Sequence, residues 1–380
     1  LIGASAEAGG VIGPLWGGII INKSGSRVSY ADIQYSSSTI YAGAIDTVTI
    51  NNCLISDNVA DADGIRINDY LKYFTIRENT IRANSGYGIH KVSGNSSNHG
   101  NSTNSTGGAE IVGNTIYAYV GMRLYGTYNA RVDSNTILLA DQGSQGINNQ
   151  ESQYSSYSNN LIMPQDEFGW YYTGMHIRGN HFSTIRGNEI RNCKDDAFYM
   201  RNTKYDTISQ NIVTRDWSCD NDDNHTAFQF GDQSYNNYFS ENVINIHNGA
   251  FGADNDGQGY RRTYGFQGFQ GASNNRDNTF VRNSVTIGLT YDDNNAQYNR
   301  GFAYLGNNAI LEGNKVVVYN YSNNWSENND EERGKQQSCV YGYHQVTSTN
   351  DTLIMSDNTM GIYASSLNMS GTVISNANTY

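Results

Sequence analysis

The chain has 380 residues, with 24 Lys and Arg against 36 Asp and Glu; the net charge of -12 excludes a nucleic-acid binder that works by bulk positive charge. Hydrophobic residues make up only 37% and Gly numbers 40, yet charged residues are just 16% and Tyr numbers 29, which excludes a disordered chain. No apolar run of about 18 residues is present to span a membrane, and the length exceeds what one globular core supports, so a repeat architecture is expected.

In chain order, the opening LIGASAEAGGVIGPLWGGIII is strand-like, and a start on Leu1 without a basic leader or initiator Met reads as a processed or excised form. INNCLI comes next. Then apolar-x-x-Asn-x-apolar recurs as FTIRENTI, AEIVGNTI, ARVDSNTI, STIRGNEI, DTISQNIV, NYFSENVI, NTFVRNSV, AILEGNKV and TLIMSDNTM, with a looser SYSNNLI. The recurring residues are Asn79, Asn114, Asn135, Asn160, Asn188, Asn211, Asn242, Asn283, Asn314 and Asn358, and Cys53 takes the same place in INNCLI. Most copies are followed by a second block: DGIRIN, YGIHKV, VGMRLY, QGINNQ, TGMHIR, DAFYMR, TAFQFG, YGFQGF, RGFAYL and SCVYGY.

Both blocks alternate apolar and polar residues with period two, which predicts half-buried strands. Each copy is then one coil of short strands, and strands of successive coils pair in parallel with the coil itself as crossover. Asn suits the bend because it tolerates turn conformations and hydrogen-bonds its own copies above and below. The whole of 1–380 is expected to be one continuous all-β domain of about 12 coils. Asn-, Ser-, Gly- and Asp-rich inserts at 93–108, 216–226, 249–264, 289–300 and 321–338 are expected to be surface loops.

From Trp16 to Met360 this repeat resembles the right-handed parallel β-helix family, the broad group that includes pectate-lyase-like proteins and phage tailspikes. The resemblance implies a single right-handed solenoid and leaves function open, because enzymes and non-catalytic surface proteins share the fold. It is incomplete in its motifs. An Asp-Pro-His-Glu block like that of mannuronan epimerases is missing. Lys194-Asp195-Asp196 is faintly similar to the paired aspartates of polygalacturonases, but the Gly-His-Gly and Arg-Ile-Lys blocks are missing too.

If the apolar residue after Gly points inward, the next one points outward and stacks from coil to coil. That row runs Ile20, Arg66, His90, Arg123, Asn148, His176, Tyr199, Gln229, Gln267, Ala303 and Tyr341, with Asn68, Tyr125, Gln150, Arg178 and Arg201 two residues later. Such a face would bind an acidic polysaccharide: Arg66, His90, Arg123 and Tyr125 as binding residues, His176, Tyr199, Arg178 and Arg201 as candidate catalytic groups, and Asp196 as their orienter. Asp63, Asp195 and Asp196 precede the strand and would suit calcium; no other cofactor is expected. A two-carboxylate hydrolase would draw on Asp196, Asp220, Asp222 or Asp223. The bland alternative is that the Arg and Tyr residues are ordinary strand-face positions balanced by neighbouring acids.

Cys193 and Cys219 follow adjacent ladder positions, within reach of a disulfide if the coils bring them together. Asn95, Asn101 and Asn104 form a cluster of glycosylation sequons in one predicted loop. Neither end shows a capping helix, so either the chain is part of a longer one or copies stack end to end. These features favour an extracellular or cell-surface structural or adhesive component, a filament, sheath or adhesin subunit, whose partners are copies of itself, another surface protein or an acidic polysaccharide. The competing expectation is a polyuronate lyase or epimerase, or a tailspike depolymerase.

Overall fold

Period-two alternation is realised as strands throughout: a computed structural model describes residues 18–34, 40–43, 46–56, 62–68, 71, 73–92, 106–166, 169, 171–215, 225–247, 262–268, 275–289, 298–320, 337–341, 345–355, 360–364 and 366–376, and these hold strands, turns and no helix. The chain divides into two compact units, Leu1–Tyr171 and Tyr172–Tyr380. Each is a parallel β-helix in which every coil carries three strands that pair with the equivalent strands of the next coil.

In the first unit one coil runs through Ala109–Val112 and then Thr115–Tyr125, which turns a corner midway and supplies two faces. The next coil repeats this as Arg131–Asp133, Thr136–Leu139 and Gly143–Gln150, paired residue for residue with the previous one. In the second unit a representative coil is Thr207–Ser209, Ile212–Arg215 and His225–Gly231. Its successor, Tyr238–Ser240, Val243–His247 and Arg262–Gly268, stacks on it in register. The faces are called first, second and third below, in that chain order.

The inserts are shorter at their edges than the composition suggested. Thr106–Gly107, His225–Gly231, Arg262–Gly268, Tyr298–Ala303 and Gln337–Tyr341 carry the strand pattern into the predicted loops because each pairs with a neighbouring coil; Leu289 likewise closes a strand. The interiors of the inserts lie outside the described residues.

Asn side chains line the turn between the first and second faces. In the first unit the backbone N–H and the Nδ2 of Asn79 both donate to Oδ1 of Asn114, at 3.0 and 2.9 Å, and Asn114 repeats this onto Asn135, and Asn135 onto Asn160. Each Nδ2 has a second acceptor one strand away, such as the Ile76 carbonyl for Asn114 at 2.9 Å, so the amide is saturated although 1% exposed. Cys53 starts the described ladder: its N–H donates to Asn79 Oδ1 at 3.0 Å, and burial pushes its thiol up, as suits an inert core residue.

The second unit runs the same ladder from Asn188 through Asn211, Asn242, Asn283 and Asn314. It then reaches Asp351 rather than Asn358, which lies outside the described residues. Lys315 pairs with Thr352, so register puts Asp351 above Asn314. The carboxylate accepts both Asn314 donors through Oδ1 and the Ser348 hydroxyl through Oδ2, at 2.7, 2.9 and 2.7 Å. A carboxylate works here because Ser348 supplies the donor that its second oxygen needs.

A second polar stack, which the Asn motif alone did not reveal, fills the turn before the first face. The N–H of Ser183 donates to Asp206 Oδ1 at 2.7 Å, that of Asp206 to Asn237 Oδ1 at 3.1 Å, and that of Asn237 to Asn278 Oδ1 at 3.1 Å. Asp206 is the odd member. It is 1% exposed, its Oδ2 has no hydrogen-bond partner, and burial pushes its carboxyl up to about 7. The unfolded chain releases this proton near pH 4. Stability from this group is therefore fully present below pH 4, falls as pH rises to about 7, and is flat above. Asp206→Asn keeps the acceptor and adds a donor, as Asn237 uses toward the Thr203 carbonyl at 3.0 Å. Denaturant unfolding of this variant is expected to show a gain of about 2–4 kcal/mol at pH 8 and a shallower slope between pH 4 and 7; an unchanged slope would mean that Asp206 is not the titrating group.

The core of each unit is one layer of inward side chains per face. In the second unit Phe198, Phe228, Phe266 and Phe302 form a column along the third face, with ring centroids 4.4, 4.9 and 5.0 Å apart and planes within 12° of parallel. Phe239 and Phe280 stack beside it at 4.9 Å.

Candidate functional site

The third face presents side chains to the outside because a row of small residues anchors its corner. A Cβ on Gly121 would lie 2.4 Å from both the Gly146 carbonyl and Ile137 Cγ2, and one on Gly174 would lie 2.5 Å from the Ala197 carbonyl, so neither position has room for a side chain. The residue after each small one points inward, as Met122 and Met175 do, fully buried. The residue two after it points outward, and so does the residue just before it, which gives rows on the same side.

In the first unit the outward row is Ile20, Tyr41, Arg66, His90, Arg123 and Asn148, paired in that order. The sequence expectation omitted Tyr41, whose short strand Ile40–Ala42 lacks the small-residue signature; Asn68 Nδ2 donates to its hydroxyl at 2.7 Å. The adjoining row contains Asp63 and Tyr87, each directly before a Gly. These two rows converge. Asp63 Oδ2 takes His90 Nδ1 at 2.8 Å and lies 3.7 Å from Arg66 Nη1; Asp63 Oδ1 accepts the Tyr87 N–H at 3.3 Å. The Tyr87 ring packs on the His90 ring at 4.3 Å, and Arg123 Nη1 donates to the Tyr87 hydroxyl at 3.0 Å. Tyr125 pairs in register with Gln150, and its carbonyl accepts Lys91 Nζ at 2.5 Å. Lys91 itself points inward and is 1% exposed, against the apolar expectation for its position.

In the second unit the corresponding row, paired in register, runs His176, Tyr199, Gln229, Gln267, Ala303 and Tyr341, the last three of them buried, with Arg178 beside Arg201 two residues on. The His176 and Tyr199 rings meet edge to face at 4.9 Å. Burial, helped by Arg178 and Arg201, pushes His176 down to about 4, so its imidazole is neutral at ordinary pH. Burial raises Tyr199. Asp232, unremarked in the sequence, is the acid paired with Arg201. Asp196 instead sits in register with Thr226 and hydrogen-bonds it; burial, reinforced by Asp195, holds its carboxyl well above the usual carboxylate range. Arg201 thus has its ion pair with Asp232, and Asp196 faces Thr226.

Further along, Arg300 is 2% exposed and lies 3.5 Å from the Tyr341 ring centroid, with Nη1 donating to the Tyr304 hydroxyl at 2.9 Å. Arg300 occupies the first position of its block, RGFAYL, the same place as Asp63, Tyr87 and Asp196 in theirs. That first position was the signal available in the sequence for Tyr87 and Arg300.

Asp63 belongs to the first unit and Asp195 and Asp196 to the second, and among the described residues no three His, Cys, Asp or Glu side chains converge as a metal site. Cys193 is buried, while Cys219, the sequons Asn95, Asn101 and Asn104, and Asp220, Asp222 and Asp223 lie outside the described residues, as do the ends 1–17 and 377–380 on which end-to-end stacking rests. No helix among the described residues is long and apolar enough to cross a membrane. No known family model and no curated protein matches the sequence.

Proposed function

We propose that this protein is an extracellular, pectate-lyase-like β-helix whose third face holds an extended acidic polysaccharide, as an adhesive or polymer-processing surface component. The observation that carries this reading is the register of Arg66, His90 and Arg123, which repeats cationic and aromatic side chains coil by coil at about 4.8 Å along one line. A linear polymer with a carboxylate on every sugar repeats its charge along a line as well. Arg forks grip carboxylates with directional paired hydrogen bonds, and Tyr87 and His90 offer flat faces for sugar rings.

The net charge of -12 repels acidic polymers at long range, so attraction must be local and salt-sensitive. Titration calorimetry against polygalacturonate, polymannuronate, polyguluronate and a neutral glucan, each with calcium and with chelator, tests this. Binding to at least one polyuronate, none to the glucan, and a loss of about tenfold with Arg123→Ala are expected. Equal binding of the neutral glucan, or no binding of any polyuronate, contradicts the reading.

A further inference from the structure

We propose that Thr226 and Gln267 join through an ester bond between their side chains, a covalent tie across two successive coils of the second unit that forms with release of ammonia. Three groups at the corner of the third face carry the inference: a buried hydroxyl, the amide it touches, and a buried carboxyl behind it.

The corner brings them together. Thr226 stands directly before the small residue Ala227, and Gln267 stands two residues after Gly265, so they occupy the two rows that share the outer side of this face. Both are nevertheless buried, at 2% and 8% exposure. Thr226 Oγ1 donates to Gln267 Oε1 at 3.0 Å, and Gln229 Nε2 donates to the same oxygen at 3.3 Å. On the preceding coil Asp196 pairs in register with Thr226 and hydrogen-bonds it. Asp196 is 4% exposed, and its Oδ1 has no hydrogen-bond partner among the described residues. A hydroxyl and an amide in contact need no such neighbour, and a buried carboxyl with an unused oxygen costs stability. Placed beside a nucleophile that already touches its electrophile, it has the position of a proton shuttle.

The step balances without water, an oxidant or a cofactor. Burial favours the neutral carboxyl at Asp196, the form that can accept a proton on one oxygen and give one from the other. Thr226 Oγ1 attacks Cδ of Gln267, and the hydroxyl proton passes to the bare oxygen of Asp196. The electron pair of the carbonyl moves onto Oε1, where the Gln229 N–H is placed to receive the charge. As the carbonyl re-forms, the Cδ–Nε2 bond breaks with its electrons on nitrogen, which takes the proton from the Asp196 hydroxyl and leaves as ammonia. Asp196 ends neutral, as it began. Neighbouring strands hold the reacting groups, so the step is intramolecular, and burial shields the ester from hydrolysis. A chain pulled from its ends then cannot unravel between Thr226 and Gln267.

The test is the mass of the tryptic peptides from the full chain after denaturation. No Lys or Arg lies in 216–260 or 263–275, so trypsin leaves Thr226 in 216–261 and Gln267 in 263–276. These two peptides are expected joined, lighter than their sum by one ammonia, and separable by alkali. Thr226→Val and Gln267→Met, each close in shape to the residue replaced, are expected to give the two peptides apart. Asp196→Asn is expected to slow joining in freshly synthesised chain by about 10²–10⁴-fold. Separate peptides at full sequence mass from the parent chain overturn the proposal whether or not any variant folds, as does a joined pair from Thr226→Val. Joining at the parent rate in Asp196→Asn overturns the role of that carboxyl.

Discussion

Replacing Asn242 by alanine is expected to cost about 5 kcal/mol of stability, measured as the loss in denaturant unfolding free energy. The Asn242 side chain is 0% exposed, its Oδ1 receives the Asn211 backbone N–H at 3.1 Å and Nδ2 at 2.9 Å, and its own Nδ2 serves the Ile208 carbonyl at 3.0 Å and Asn283 Oδ1 at 2.9 Å. Alanine abandons partners on both neighbouring coils at once, and each buried polar group left without a bond costs about 1–3 kcal/mol. Asn242→Asp separates the two halves of the amide. It keeps the acceptor but turns the Nδ2 into an oxygen facing the Ile208 carbonyl and Asn283 Oδ1, with no hydroxyl placed as Ser348 is at Asp351. That variant is expected to lose stability as pH rises above the ordinary carboxylate range, since only the protonated acid supplies a donor. A loss below about 1 kcal/mol for the alanine variant would mean that the ladder follows from strand pairing and contributes little.

Phe266→Ala is expected to cost about 4 kcal/mol, the range of deleting a buried aromatic ring. Phe266 is fully buried, sits between Phe228 and Phe302 at 4.9 and 5.0 Å, and meets Phe239 and Phe280 edge to face at 5.7 and 5.3 Å. Four ring contacts disappear together, and adjacent Gly265 leaves no side chain to fill the gap. Because neighbouring coils interact mainly with each other, hydrogen exchange should accelerate first in His225–Gly231 and Tyr298–Ala303. Phe266→Leu keeps most of the volume and is expected to cost about half as much. Equal losses for the two variants would show that ring stacking, beyond volume, decides the column.

The fold was legible because its repeat is local: the residue five after each octet's start is the ladder Asn, and Gly in the second block marks the corner where Gly121 and Gly174 tolerate no Cβ. The outward row was legible for the same reason, since one register decides every coil. Tyr41 escaped because Ile40–Ala42 has neither signature. The stack Ser183, Asp206, Asn237 and Asn278 escaped although each opens its octet, because residues of three chemistries were doing one hydrogen-bonding job. At the candidate site the outward position was readable and the environment was not. Arg178, two residues after His176, was the one local difference from His90; the rest is burial beside Arg201 of the next coil in one case and an Asp63 carboxylate from a neighbouring coil in the other. Asp232 reaches Arg201 from the next coil in the same way, a contact that a coil of variable length conceals from spacing arguments.

The central functional claim is that polyuronate lies along the third face, and hydrogen–deuterium exchange with and without a saturating polyuronate tests it most directly. Protection is predicted in Thr80–Lys91 and Thr115–Tyr125, whose outward residues include His90 and Arg123, with first-face strands such as Ala109–Val112 and Arg131–Asp133 unchanged. Protection confined to the first face, or spread evenly over all faces, would contradict it.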